Sequence, residues 1–121
     1  MNFNDESPIY IQIANAIEDG ILNGIYEEES QIPSTTEISL NYKINPATIR
    51  KGFDILVNEG VIYKKRGLGM FVVKGAKEML RIRRKNEFYD NYIVNLIEEA
   101  KRLKISKEEI INMIKRWEKN E

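Results

Sequence analysis

Along the first part of the chain, Ile9, Ile13, Ala16, Ile17 and Ile21 recur at the spacing of one helix face. Ser7-Pro8 opens this helix on paper: serine suits the N-cap, and proline suits the first helical position, where its missing N–H costs little. Gly24 is the expected stop, and the acidic, polar stretch Tyr26 to Gln31 reads as a loop. Ser34-Thr35-Thr36-Glu37 is a capping box that starts a short helix over 35–42 with Ile38 facing inward. Lys43-Ile44 is the turn. Asn45-Pro46 repeats the cap-and-proline signal and opens a third helix, which buries Ile49, Gly52, Phe53 and Leu56 and ends at Gly60.

The pattern then changes period. Val61 to Lys65 and Met70 to Val73 are β-branched and aromatic, and Arg66-Gly67-Leu68-Gly69 between them permits a tight hairpin. After Gly75 the chain turns helical again. A second capping box, Ser106-Lys107-Glu108-Glu109, divides this tail into one helix over 76–104 and another over 107–119. The expected fold is therefore mainly α with a small β-hairpin wing. It comprises an N-terminal winged helix-turn-helix domain, residues 1–75, and a short two-helix C-terminal dimerisation region, residues 76–121, with room for an effector.

Composition narrows the chemistry. A chain of 121 residues with no cysteine has neither disulfides nor thiolate metal sites, and with no histidine it lacks the usual general base and transition-metal ligand. Neither an enzyme nor a cofactor nor a metal is expected. Glu27-Glu28-Glu29 could approach a divalent ion, but adjacent exposed acids usually form a solvated loop. No apolar run nears the roughly 20 residues of a membrane span. The opening Met1-Asn2-Phe3-Asn4-Asp5-Glu6 is unlike a secretion signal, so a cytoplasmic protein with no membrane partner is expected.

Charge is balanced overall but unevenly distributed. Residues 1–60 carry three basic and ten acidic side chains, a net of −7; residues 61–85 carry nine and one, a net of +8; residues 86–121 carry seven and eight, a net of −1. A local basic stripe is the footprint of a phosphate binder, and it falls on the wing and the segment after it.

In a winged helix-turn-helix, the third helix enters the DNA major groove and the helix before it crosses the backbone. The outward face of the third helix is Pro46, Ala47, Thr48, Arg50, Lys51 and Asp54. Ala47 can touch a thymine methyl, Thr48 can donate or accept, and Arg50 can grip guanine or hold a phosphate. Ser34, Thr35 and Thr36 sit where helix N–H groups suit phosphates, and Asn45 starts the reading helix. Lys65, Arg66, Gly67, Leu68 and Gly69 form the wing tip, placed to reach the backbone and the minor groove. Each also has a plainer reading: Ser34 as a cap, Thr48 and Arg50 as surface residues, and the wing lysines as guards of an edge strand.

Taken in order, Ser7 to Ile13, Ile32-Pro33-Ser34, Asn45 to Phe53 and Glu59 to Val72 resemble GntR-type transcriptional regulators, most of all the YtrA subfamily. The resemblance implies a homodimeric bacterial DNA-binding regulator, usually a repressor, of a subfamily that often controls ABC-type transporter genes. Arg50 matches the family's retained arginine of the third helix. Three positions depart from the pattern: Thr36 and Pro46 stand where arginine is common, and the tip is Gly67-Leu68-Gly69 where Gly-Arg-Gly is typical. With less charge at the tip, Leu68 becomes an apolar contact.

The tail carries two apolar stripes: Tyr89, Tyr92, Ile93, Leu96, Ile97, Ala100 and Leu103 on one helix, and Ile110, Ile111, Met113, Ile114 and Trp117 on the next. Two helices alone cannot bury both, so association with a second copy is expected. An effector pocket shared between subunits could use Phe88, Tyr89, Tyr92 and Trp117. The partners expected are thus double-stranded DNA, a second copy of the chain, and an unidentified small-molecule effector. A different class of function, a winged module that binds proteins or coats DNA without reading it, is favoured by the −7 charge of residues 1–60.

Overall fold

A computed structural model describes residues 1–120; Glu121, the end of the expected tail, lies outside the described residues. The elements are α1 (Ile9–Leu22), α2 (Thr35–Tyr42), α3 (Pro46–Asn58), β1 (Ile62–Lys65), β2 (Gly69–Val72), α4 (Ala76–Phe88), a π-helical turn (Tyr89–Ile93), α5 (Val94–Arg102) and α6 (Lys107–Lys119). They form two compact units, one over Met1–Ile82 and one from Arg83 onward.

In the first unit, α1 begins one residue later than expected. Pro8, with ψ 142°, occupies the N-cap, and no side chain caps the helix. The carboxamide of Gln12 organises the entry instead: its Nε2 donates to the carbonyls of Asn4 and Ser7, and its Oε1 accepts from the N–H of Asn4. The α2 capping box forms as expected, with Ser34 Oγ accepting from the Glu37 N–H at 3.0 Å and Glu37 Oε1 accepting from the Ser34 N–H at 3.3 Å. Lys43 takes the left-handed conformation (φ 55°) that reverses the chain, and Ser39 Oγ donates to the Ile44 carbonyl at 2.7 Å, closing the turn. Asn45 Oδ1 then accepts from the Ala47 N–H at 2.9 Å, with Pro46 in the first turn of α3. The far end of α3 closes through Gly60 (φ 74°), where the N–H of Val61 reaches the Leu56 carbonyl and that of Gly60 the Val57 carbonyl, a Schellman closure.

Gly52 lets α1 and α3 touch: a Cβ there would lie 2.8 Å from the Tyr10 carbonyl oxygen. The core contains Ile13, Ile17, Ile21, Ile32, Ile38, Ile49, Phe53 and Leu56, joined by Val61, Ile62 and Val72 of the wing region. Ala76 and Leu80 of α4 are buried in the same cluster, which is why this unit continues past the wing.

The hairpin is antiparallel, with Ile62 opposite Val72, Tyr63 opposite Phe71, Lys64 opposite Met70 and Lys65 opposite Gly69. Ile62 and Val72 face the core; Tyr63, Phe71 and Lys65 share the other face. The stretch expected to be a loop ends differently. Gln31 bridges Phe71, with Val72 N–H bonded to Ser30 O and Ile32 N–H bonded to Met70 O, both at 3.0 Å. Residues 30–32 therefore cover the outer edge of β2.

In the second unit, the single helix expected over 76–104 is interrupted. The π-helical turn at Tyr89–Ile93 widens the spiral locally, and α5 ends at Arg102. Lys104 (φ 57°) closes α5 without a glycine, and Ile105 N–H returns to the Ala100 carbonyl at 2.8 Å. The Ser106–Glu109 capping box starts α6 as expected.

Candidate nucleic-acid interface

The α2–turn–α3 segment places the expected readers on two helix starts. Ser34 and Thr35 are half-buried and Thr36 is exposed. The cap uses the Glu37 N–H, while the N–H groups of the first turn of any helix have no partner within it and are available to an anion. At the start of α3, Asn45 and Ala47 are exposed and Thr48 is half-buried. Because residues turn by about 100° along a helix, Thr48 and Arg50 project from opposite flanks of the outward face, with Ala47, Lys51 and Asp54 between them. Arg50 is exposed. The oxygen of Asn45 is engaged in the cap, which leaves its amide N–H₂ group for any further contact.

Two expected DNA contacts are steered by aromatic rings. The Lys51 ammonium lies 4.0 Å from the centroid of the Tyr10 ring, and the Lys65 ammonium lies 4.3 Å from that of Phe71 and 5.9 Å from that of Tyr63. Such contacts order a flexible ammonium while leaving it accessible. Arg66, Gly67 and Leu68 make the exposed tip. Gly67 (φ 78°) and Gly69 (φ 124°) adopt backbone that other residues avoid. In the basic run after the wing, Arg81 forms an ion pair with Glu78, which raises the arginine pKa and lowers that of the carboxyl.

Three contributors escape sequence reasoning. Tyr10 holds Lys51 across 41 residues of chain, Ser39 locks the turn, and Gln31 Nε2 donates to the Leu68 carbonyl at 2.6 Å. None carries a local signal, since each acts on a residue distant in sequence or through backbone atoms.

In the second unit, Leu96, Ala100, Ile110, Met113, Ile114 and Trp117 line one open groove of about 380 Å³, with Glu99 its one charged lining residue. Tyr89, Tyr92, Ile93 and Ile97 lie outside that lining. Of the four aromatics considered for an effector pocket, Trp117 alone is in the groove; Phe88 and Tyr92 pair with each other at 5.4 Å. Among the described residues no three carboxylates are gathered to hold a cation, and no helix is long and apolar enough to cross a membrane.

Two capped helices joined by a tight turn, the second exposing polar and cationic residues, followed by a basic hairpin, define a winged helix-turn-helix of the DNA-binding type. The model of the bacterial regulatory proteins of the gntR family matches residues 9–72, and the chain belongs to that family. It is similar to the HTH-type transcriptional repressor NagR of Bacillus subtilis, 38% identical over 80 residues covering 64% of this chain and 33% of NagR. The repressor YtrA of the same organism is 34% identical over 74 residues, covering 61% of this chain and 57% of YtrA. YhcF, a third B. subtilis regulator, is 26% identical over 113 residues, covering 93% of this chain and 92% of YhcF. The chain thus spans about a third of NagR's length and nearly all of YhcF's.

Among solved structures, a GntR family regulator from Listeria monocytogenes aligns with TM-score 0.75 and 33% identity, over 94% of this chain and 98% of that one. The AraR DNA-binding domain, solved in complex with operator ORX1, aligns with TM-score 0.56 and 28% identity, over 60% of this chain and 93% of that one. Residues 9–72 are thus the winged helix-turn-helix domain of a GntR family member.

Proposed function

We propose that this chain is a homodimeric repressor that reads an inverted-repeat operator in the cytoplasm, with residues 1–75 binding DNA and residues 76–121 joining the two copies. The observation that carries DNA reading is the start of α3, where Ala47, Thr48 and Arg50 stand around a capped, outward-facing first turn. The AraR domain, aligned over 60% of this chain, was solved on an operator. Repression is supported by the names of NagR and YtrA, and the YtrA likeness also favours control of a transporter-type operon.

Dimerisation rests on the apolar groove of α5 and α6. Trp117 is 66% exposed, Ile114 54% and Leu96 42%, on helices that offer each other too little cover. A second copy of the same stripe would supply that cover and place two reading helices on one face of DNA. The reading involves no cofactor, metal or catalytic step.

Selection of bound duplexes from a random-sequence pool at physiological salt tests it. An inverted repeat with half-sites about 10 base pairs apart, or a multiple of that, is expected. A folded protein that enriches no sequence would overturn operator reading and favour a winged module that meets protein instead.

A further inference from the structure

The wing tip holds a combination that operator reading by α3 leaves unused. Leu68 is 65% exposed at the apex of the hairpin. Yet its backbone is fixed on both sides: its N–H donates to the Lys65 carbonyl at 2.9 Å, and its carbonyl accepts from Gln31 Nε2 at 2.6 Å. Gln31 is itself anchored, since residues 30–32 pair with β2. Gly69 is shaped to this brace: a Cβ there would overlap Gln31 Nε2, and its φ of 124° suits glycine alone. The exposed Lys65 and Arg66 just before it bring positive charge to the tip. A floppy tip would let a leucine fold back onto apolar surface, whereas this one is held out in water by hydrogen bonds that act on its own peptide groups.

We propose that Leu68 is an apolar wedge for the DNA minor groove and that Gln31 is the residue that positions it, so that the wing selects its flanking base step by deformability. An apolar side chain driven against a base step partly unstacks it and kinks the duplex. Pyrimidine–purine steps such as TA and CA yield readily, whereas A-tracts are stiff, with a narrow and strongly negative groove that attracts arginine. A leucine wedge therefore favours the first kind of sequence and an arginine tip the second. Lys65 and Arg66 would hold the neighbouring phosphates while the wedge acts. This inference rests on the operator-reading proposal and adds a specificity that α3 cannot supply.

The test uses the full-length protein and the operator selected above. Two duplexes are compared that differ only in the steps beneath the wings, TA in one and an A-tract in the other. Wild type is expected to prefer the TA duplex by roughly fivefold or more, the scale of one altered base pair. 2-Aminopurine placed at that step should brighten on binding. Leu68→Ala should abolish both effects, and Leu68→Arg should shift the ratio toward the A-tract. Gln31→Met, similar in shape but without a donor, should also lose the preference and speed amide exchange at Leu68. Gln31→Lys, which restores a donor, should recover it. Using a ratio of two duplexes cancels any general effect of added charge on affinity, and a melting scan confirms that each variant is folded. Equal wild-type affinity for the two duplexes, or an unchanged ratio in Leu68→Ala, would overturn the wedge while leaving operator reading intact. Failure to select any operator would remove both.

Discussion

Two residues show how local chemistry constrains this fold. At Gly52, an added methyl would meet the Tyr10 carbonyl at 2.8 Å and the Ile13 side chain at 3.3 Å. Backbone cannot step aside as a side-chain tip can, so Gly52→Ala is expected to destabilise the protein by about 1–3 kcal/mol through overpacking, read as a lowered Tm. Tyr26 packs its ring against Gly20, and burial, with a smaller contribution from Tyr42, raises its hydroxyl pKa above 10.0. The folded state therefore keeps the proton longer than the unfolded chain. The associated stability is fully present below about pH 10 and is lost as pH rises through the higher folded value. Melting scans across that alkaline window should show a steeper decline for wild type than for Tyr26→Phe; parallel curves would show that the hydroxyl contributes nothing.

At the scale of elements, the chain offers an internal comparison. α2 and α6 begin with the same reciprocal cap, serine to glutamate, at nearly equal distances. Ser34→Ala and Ser106→Ala should each cost about 1 kcal/mol of stability. Only the first cap lies in the helix-turn-helix. If Ser34 also meets phosphate, its variant should lose operator affinity severalfold while Ser106→Ala does not, as measured by fluorescence anisotropy. Equal affinities in the two variants would confine Ser34 to capping. These helix starts were readable because serine, glutamate, asparagine and proline act within three or four residues. The ends of α5 were not, nor was the left-handed backbone of Lys43 within the expected turn: lysine in that conformation has no compositional mark, and tertiary context sets it there.

At the scale of the whole molecule, two quantities follow from composition and surface. The +8 segment should make DNA binding steeply salt-dependent, with a log–log slope of about −0.9 for each phosphate neutralised. Six such contacts per subunit would weaken binding by roughly three orders of magnitude or more between 50 and 200 mM salt. The groove of α5 and α6 predicts assembly. Ile114→Lys should halve the mass seen by light scattering and reduce operator affinity, while the first unit keeps its cooperative melt. A variant that stays at the parental mass would place the association elsewhere.

What the sequence determined by itself is the order of helices up to the wing, the caps of α2, α3 and α6, and the hairpin with its glycine-bearing tip. Those depend on period, β-branching and side-chain-to-backbone bonds that close within a few residues, and Ile49, Gly52, Phe53 and Leu56 fell on the buried face as their spacing required. The family resemblance came from the same local motifs in order. Only the tertiary structure decided the rest. It paired residues 30–32 with the wing, because a backbone ladder forms through atoms that every residue carries. It laid Lys51 over Tyr10 and braced Leu68 with Gln31. Each of these joins positions far apart in the chain, and packing alone brings them within reach.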